Sequence, residues 1–475
     1  MDEFWSNFGI KPIVYWTDAI IYFMMVASAL WMYFALKRAF WIQAFKQLAS
    51  NRLAMLCVGV MSLYAVIGFL DTLHFKKYEA ENKVYGRTIS VLDAIGKRYS
   101  ERVEKTYSVP FATHAFTMET EIAPDGKQVR VHHELKFGGE HLRVDGKYPE
   151  GEALEKAKAA DIRFRIVKGV GYGLVLGLLG FGILFLLSKL IKPAPADTTG
   201  LTDTSDQRAK WVLSIGLFWT ITSIFACTLW ILGSGYHILG TDQTGGDIFW
   251  MSIKGTRTGL ILGALTTLIV TPFAILFGVM AGYYGGWVDN VITYVYSTLS
   301  SIPDILLIAA AMLIVQGMFD ADETPVAADK KLVLLCIIMG ITSWTGLCRL
   351  LRAETLKLRQ SEFVQAADAF GIGRWTIMFR HLVPNVSHLV IISVATSFSS
   401  MVLTESVLSY IGIGVDPSMS SWGNQINGAR MELAYDPAVW WNLAGAFIFC
   451  MGLVLPANLF GDAVRDALDP KLRTV

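Results

Sequence analysis

Residues 361–385 read SEFVQAADAFGIGRWTIMFRHLVPN, a charged, helix-forming stretch closed by Pro384 and set between two of the most apolar parts of the chain. On a helix, Phe363, Ala366, Ala367 and Phe370 fall at i, i+3, i+4 and i+7, one apolar stripe with small residues at its centre. Beyond Gly371 and Gly373, the residues Trp375, Met378, Phe379 and Leu382 repeat that spacing. The pattern predicts two short amphipathic helices meeting at a glycine turn. Pro384 disfavours helix at Val383 and suits the first turn of whatever helix follows.

The surroundings of this stretch place it beside a membrane. The chain has 475 residues, of which 53% are hydrophobic and 17% charged, with mean hydropathy +0.45; soluble domains carry roughly 25% charged residues. A helix needs ~20 apolar residues to cross ~30 Å of hydrocarbon. Such runs recur near 16–36, 53–73, 169–191, 211–233, 258–281, 302–319, 332–351, 386–411 and 440–460, so nine spans are expected. The first reads as an anchor and not as a cleaved leader, since Asp2 and Glu3 stand where a leader is basic. A net charge of +1 favours no polyanionic partner. The cysteines (57, 227, 336, 348 and 450) all fall inside predicted spans and form no disulfide or metal pattern.

Orientation follows from basic residues at the ends of short loops. Lys37, Arg38, Lys46 and Arg52 put the first link in the cytoplasm and the N-terminus outside. Counting alternately, residues 361–385 are cytoplasmic, in keeping with Arg349, Arg352, Lys357, Arg359, Arg374 and Arg380 against Glu354, Glu362 and Asp368. The loop 320–331 falls outside and starts with Asp320, Asp322 and Glu323. Residues 283–300 read as a cytoplasmic loop carrying only Asp289.

Four segments follow: an anchor and first core-like span (1–73), a polar inserted domain outside the membrane (74–168), a returning span and linker (169–210), and the main transmembrane domain (211–475). In the inserted domain, residues 89–105 have helical periodicity, residues 115–138 alternate around a turn at Pro124-Asp125-Gly126, and residues 150–168 are helix-like and run into the next span. His114, His132, His133 and His141 are read as surface residues, because neighbours on a strand point to opposite faces. Residues 192–210 have a linker composition. Glycines from 169 to 182 are expected to be close-packing positions between helices.

No G-x-x-x-x-G-K-[ST], completed G-x-G-x-x-G, G-x-S-x-G or H-E-x-x-H occurs, so an enzyme acting alone is not expected. Three readings of residues 361–385 compete: an interfacial helix pair on lipid headgroups, a DNA-binding helix-turn-helix, and a knob docking into a groove on a cytoplasmic partner. Sinking the nine charges between positions 349 and 380 into the bilayer would cost on the order of 20–30 kcal/mol. Tethering at both ends to spans leaves little reach into a DNA groove. Lipid and partner stay open on physical grounds.

Gln365-Ala366-Ala367, then Gly371, then His381-Leu382-Val383-Pro384 resembles the EAA loop of ABC importer permeases, which in that family seats in a cleft of the ATPase subunit. Gln365 replaces the family's Glu, His381 its Ile and Val383 its Leu; Glu362 lies one turn earlier. HILGTDQTGGD (237–247) followed by GTRTGLILG (255–263) is similar to the external segment of C-type permeases of dipeptide and oligopeptide importers, with Gly246 where Arg is usual. GYYGGWVD (282–289), without the usual following basic residue, TESVLSYIGIGVDPSMSSWG (404–423) and LFGDAVRDALDP (459–470) follow in the family's order.

The resemblance covers the chain from about Trp211 to its end and implies an all-α polytopic membrane protein with an ABC importer type I permease core, here carrying a small α+β extracytoplasmic insert. Relatives usually have six spans and a cytoplasmic N-terminus; Asn51-Arg52-Leu53-Ala54 resembles their first span, which places the insertion after it. It implies a permease of the bacterial inner membrane that couples to an ATPase through Glu362, Gln365, Ala366, Ala367, Gly371, Arg374, Arg380, His381 and Pro384. Gly240, Thr241, Asp242, Gly245 and Asp247 form the external segment, with Asp242 and Asp247 expected to cap a helix start. Asp416, Trp422 and Gly423 form an external turn and candidate gate, and Glu405, a charge inside a span, is the candidate on the translocation path. Expected partners are a second permease, two ATPase subunits or domains, an extracytoplasmic binding protein and lipid, without nucleic acid. This chain would bind no cofactor, ATP and Mg residing on the ATPases. The alternatives are another cargo (nickel, polyamine, peptide antibiotic) or a membrane-anchored sensor or scaffold.

Overall fold

A computed structural model describes residues 10–37, 39–79, 84–122, 128–143, 148–149, 151–190, 204–319 and 324–468. The expected turn at 124–126, linker residues 192–203, the acidic positions 320–323 and the Asp2-Glu3 start lie outside these. In chain order the elements are β1 (Ile10–Ile13), α1 (Trp16–Ala35), α2 (Ala39–Ser50), α3 (Arg52–Thr72), β2 (His74–Glu79), β3 (Val84–Ser90), β4 (His114–Ile122) and β5 (Gln128–Glu134). There follow α4 (Glu152–Leu190), α5 (Thr204–Gly233), α6 (Ile248–Tyr284), α7 (Gly286–Ser300), α8 (Asp304–Phe319), α9 (Pro325–Ser343) and α10 (Thr345–Arg359). The last are α11 (Glu362–Ala369), α12 (Arg374–Tyr410), α13 (Trp422–Glu432) and α14 (Trp441–Leu468).

Among the described residues eight helices are long and apolar enough to cross a membrane, α9 and α10 counting together, and α7 with α8 passes the same test only as a pair, bent by 83°. The expected span at 302–319 is therefore only the second limb of that bent pair. Residues 283–300, expected to be a loop, are mostly helix. Their Ser and Thr content hid an element with two apolar faces. Ile292 and Tyr296 pack with Trp344 and Cys348, while Trp287 and Tyr294 are 78% and 72% exposed.

The chain divides into two compact units. The first comprises Met1–Leu92, Lys254–Met431 and Ala446–Val475. Its helices bury a core of Ile261, Leu262, Ile308, Met312, Leu335, Met339 and Leu408, drawn from α6, α8, α9 and α12. β1, β2 and β3 form an antiparallel sheet in that order, with Ile10 opposite Lys77 and Phe75 opposite Ile89. This sheet was not anticipated: its strands are too short and charged (HFKKYE) to stand out beside the spans they flank.

That sheet carries the N-terminal helix to an ionic network in the same unit. Asp18, fully buried on α1, accepts from Arg257 Nη2 (2.7 Å), from the Tyr15 amide (3.3 Å) and lies 3.0 Å from His74 Nδ1. Arg257 Nη2 also donates to Thr17 Oγ1 at 3.0 Å, and the Thr17 amide and hydroxyl both donate to Asp329 on α9. Asp329 stands 4.0 Å from the guanidinium. A buried charge is costly unless paired and hydrogen-bonded; here each carboxylate is.

The second unit comprises Asp93–Ile253 and Glu432–Gly445. The hairpin of β4 and β5 matches the alternation expected at 115–138, with Met118 opposite His132 and Glu121 opposite Val129. His132 meets the Ala115 carbonyl (2.9 Å) and His133 pairs with Glu119 (2.7 Å), so the adjacent histidines take separate partners. The helix expected at 89–105 is shorter: Val91–Ile95 and Lys97–Ser100, broken at Gly96. α4 runs unbroken from the polar stretch into the apolar one, as its sequence suggests. Gly169, Gly173 and Gly177 line its face toward α5. A methyl on Gly177 would sit 2.8 Å from Thr220 Cα, and one on Gly173 2.8 Å from the Ile224 nitrogen.

Candidate functional site

The stretch 361–385 hangs on α10 and α12 within the first unit. α11 spans Glu362–Ala369, and Gly371 takes φ +72°, a left-handed conformation that strains a residue with a Cβ. The expected single stripe is split between two faces. Val364 and Ala367 are buried, and with Ile377, Met378 and Leu382 they pack on Val279, Tyr283, Leu351 and Val386. Phe370 is 86% exposed, and Phe363, Ile372, Trp375 and Phe379 also face outward, the last two stacked at 5.9 Å. Four aromatic rings and an isoleucine are thus exposed on this stretch, a composition typical of protein contact sites.

The second helix is not a separate short one. It starts at Arg374, widens to a π turn over Ile377–Leu382 and continues through Pro384 to Tyr410. Pro384 has no N–H to offer the ladder; the widening falls immediately before it, and Asn385 Nδ2 donates to the His381 carbonyl at 2.6 Å. The loop is therefore rigidly continuous with a membrane helix.

Polar residues fix the loop on its scaffold. Tyr283 OH donates to Asp368 Oδ1 at 2.9 Å, and the Arg374 guanidinium lies 5.8 Å from the Tyr284 ring centre. Gln365 Nε2 donates to the Gln360 carbonyl at the end of α10 (3.1 Å), a bond that a glutamate could not make. Glu362 sits exposed in the first turn of α11, Ala366 is exposed beside it, and Arg380 is exposed on the π turn. Behind them, Arg352 Nη2 of α10 holds Asp289 of α7 at 2.7 Å, supplying from a distant helix the cation absent after the G-W-V-D motif.

In the second unit, the segment 237–247 is bound inward. Gly240 and Gly245 take φ +70° and +79°. Thr241 is fully buried, its hydroxyl donating to Thr106 O (2.8 Å) and its carbonyl accepting from Trp441 Nε1 (3.0 Å). Asp247 caps α6 as expected, accepting from the Trp250 amide at 3.1 Å. Asp242 does not cap a helix. Its Oδ1 accepts from Thr244 N (3.0 Å) and Gly246 N (2.7 Å), closing its own loop.

Two residues missed in the sequence complete this segment. His237, 2% exposed, has Nδ1 2.7 Å from Asp247 and Nε2 3.3 Å from Glu104, and Glu104 accepts from the Lys136 and Phe137 amides at 2.8 Å each. Burial opposes the imidazolium, but the two carboxylates outweigh it and raise His237 to about 9. Burial likewise opposes the Glu104 carboxylate, and His237 with the two amides holds it below the usual range.

In the first unit, Trp422 is 1% exposed and wedges against Gly255 and Gly259 of α6, where added methyls would each lie 2.8 Å from its ring. Glu405 is 1% exposed, accepts from Ser409 Oγ at 2.7 Å, and has Gly423 packed against its Oε1. Asp416 accepts from Ser418 N (3.0 Å) and pairs with Lys331 at 3.0 Å. These hold the turn together from within.

Comparison with known proteins bears on the same residues. The family described as "Binding-protein-dependent transport system inner membrane component" matches residues 274–474. The glutathione transport system permease protein GsiD of Pectobacterium atrosepticum is 34% identical over 243 residues, 51% of this chain and 75% of that protein. The oligopeptide transport system permease protein OppC of Haemophilus influenzae is 34% identical over 239 residues, 50% and 72% of the two chains. The dipeptide transport system permease protein DppC of Bacillus subtilis is 28% identical over 240 residues, 50% and 70%.

This chain belongs to the binding-protein-dependent transport permeases.

As such, the permease is a multi-pass inner-membrane component of an importer, and the 361–385 loop, Glu405, Asp416, Trp422 and Gly423 all lie inside the matched region. The Gly240–Asp247 segment, α1 and the hairpin of β4 and β5 lie outside it. Within the first unit, the Asp18–Arg257–Asp329 network ties α1 to α6 and α9.

Proposed function

We propose that the permease carries peptides, forms half of a translocation path with a second permease, and takes its energy from two ATPase subunits or domains that bind ATP and Mg. An extracytoplasmic binding protein delivers the cargo. The observation that supports this most is the rigid loop at 361–385, with its buried face locked to α10 and α12 and its aromatic face turned outward, on the side assigned to the cytoplasm by the basic residues.

In this reading Phe363, Phe370 and Trp375 enter the ATPase groove. Glu362, Gln365, Ala366, Ala367 and Gly371 shape α11, and Arg374, Arg380, His381 and Pro384 pass the displacement to α12. The 240–247 segment and the Asp416–Gly423 turn hold the outer ends of their helices, and Glu405 braces the turn through Ser409. The similarity to oligopeptide, dipeptide and glutathione permeases supports a short peptide-like cargo.

The test is ATP-driven uptake of a labelled dipeptide and a labelled pentapeptide by proteoliposomes holding the co-purified assembly. Uptake of either, competed by unlabelled peptide, agrees with the proposal. Uptake of nickel or a polyamine without peptide competition overturns the cargo while leaving the machine intact. An assembly that retains its ATPase but moves nothing favours a sensor or scaffold.

A further inference from the structure

In the second unit, a cavity of about 310 Å³ opens where the apolar run of α4 begins and that of α5 ends. Three cations line it, Arg98, Arg165 and Lys168, with one carboxylate, Asp161. That carboxylate is already engaged: Asp161 Oδ2 takes Arg165 Nε (2.6 Å), His141 Nε2 (2.7 Å) and Tyr236 OH (3.0 Å). The lining therefore carries an excess of two positive charges, three less one.

The guanidinium of Arg165 is built into the wall. Its Nη1 donates to Ser234 Oγ (3.0 Å) and Ile231 O (3.2 Å), and Gly235 leaves it room, since a methyl there would sit 2.7 Å from Arg165 Cζ. Arg98 and Lys168 are exposed, and they complete the cationic rim. Tyr172 (57% exposed) and Trp230 (46%) stand on the apolar side of the opening. Lys168 is the last charge on α4 before the uncharged stretch from Gly169 to Leu187, so the cavity sits at the polar–apolar boundary of a helix pair.

Guanidinium and ammonium groups converging on a small cavity suit a phosphate. Tyr and Trp at the same level mark the headgroup zone of a bilayer, where Arg and Lys side chains suit the phosphate of an anionic headgroup. We propose that this cavity binds the phosphate of an anionic phospholipid, with the acyl chains lying along the exposed apolar faces of α4 and α5. The proposal makes no use of the cargo assignment.

The test uses the full-length permease in detergent, with retained lipid counted by native mass spectrometry during titration with phosphatidylglycerol or phosphatidylcholine. Phosphatidylglycerol should bind more tightly to the wild type. Arg98→Ala and Lys168→Ala should each weaken it by about 5-fold, following the attraction of one basic side chain near a headgroup, while Arg98→Lys with Lys168→Arg should restore it. Equal affinity for the two lipids in the wild type overturns the proposal without recourse to any variant. Displacement of phosphatidylglycerol by glycerol 3-phosphate at matching affinity would reassign the cavity to a soluble phosphate and overturn the lipid as its source.

Discussion

Removing the Asp18 carboxylate should unfasten α1. Asp18→Ala takes from Arg257 its 2.7 Å partner and leaves the guanidinium with Thr17 Oγ1 at 3.0 Å and Asp329 at 4.0 Å. Breaking a buried ion pair by deleting one member costs about 3–5 kcal/mol. Because Asp329 still compensates part of the charge, the loss should fall near the lower bound, about 3 kcal/mol. Arg257→Met leaves two buried carboxylates, Asp18 and Asp329, around one threonine, and a loss of similar size is expected. Asp18→Ala together with Arg257→Met removes both members of the 2.7 Å pair and leaves one buried carboxylate, Asp329, on the Thr17 donors, so the double variant should be less damaged than the sum by about 2 kcal/mol. The assay is equilibrium unfolding in dodecyl sulfate, followed by helicity and by protease access to residues 36–51. If the two losses simply add, or if Asp18→Ala leaves the midpoint unmoved, the network does not hold α1 and the argument fails.

Three further expectations follow from other parts of the permease. His237 is raised from 6.5 to about 9, so its contribution is complete below pH 6.5 and is lost as pH rises through 9; on the order of 3 kcal/mol is at stake. Glu104 is lowered, so its contribution is present above its ordinary value of 4.5 and fades as pH falls. Thermal melting should therefore drop between pH 7 and 10, and His237→Gln should flatten that decline; an unchanged profile would count against the clasp. Gly173→Leu should force α4 from α5 at a cost of about 1–3 kcal/mol and reduce disulfide formation between Gly177→Cys and Thr220→Cys, whereas cross-linking as complete as without the leucine would show that residue 173 is not packed against α5. Gln365→Glu loses the donor to the Gln360 carbonyl, about 1 kcal/mol, and should speed amide exchange at the junction of α10 and α11. Unaltered exchange would mean the bond is not formed.

The chain's membrane character was legible because burial in lipid demands long uncharged runs, and those runs survive any arrangement of the helices. The β4–β5 hairpin and the glycine face of α4 were legible for a similar reason: a local period of two or four carries them. α7 escaped because Ser297, Thr298, Ser300 and Ser301 break its apolar run just before the 83° bend. The faces of residues 361–385 were divided by the scaffold, not by periodicity. Val364, absent from the expected stripe, is buried against α10, and Phe370, at the stripe's end, is exposed. The ionic partners lay furthest from reach. Asp18 and Arg257 are 239 residues apart, His237 and Glu104 133, and no local rule pairs them. Asp242 illustrates the reverse, since its position before α6 suggested a cap, yet it is the nearby amides of Thr244 and Gly246 that hold it.

The central claim is that the outward aromatic face of the loop transmits the work of an ATPase, and Phe370→Ala tests it most directly. Phe370 is 86% exposed, so the change leaves the buried face of the loop intact. ATP-driven uptake by the reconstituted assembly should fall at least 10-fold, the ATPase subunit should dissociate more readily, and the unfolding midpoint of the permease should stay where it was. Undiminished uptake with the ATPase still bound would contradict the account.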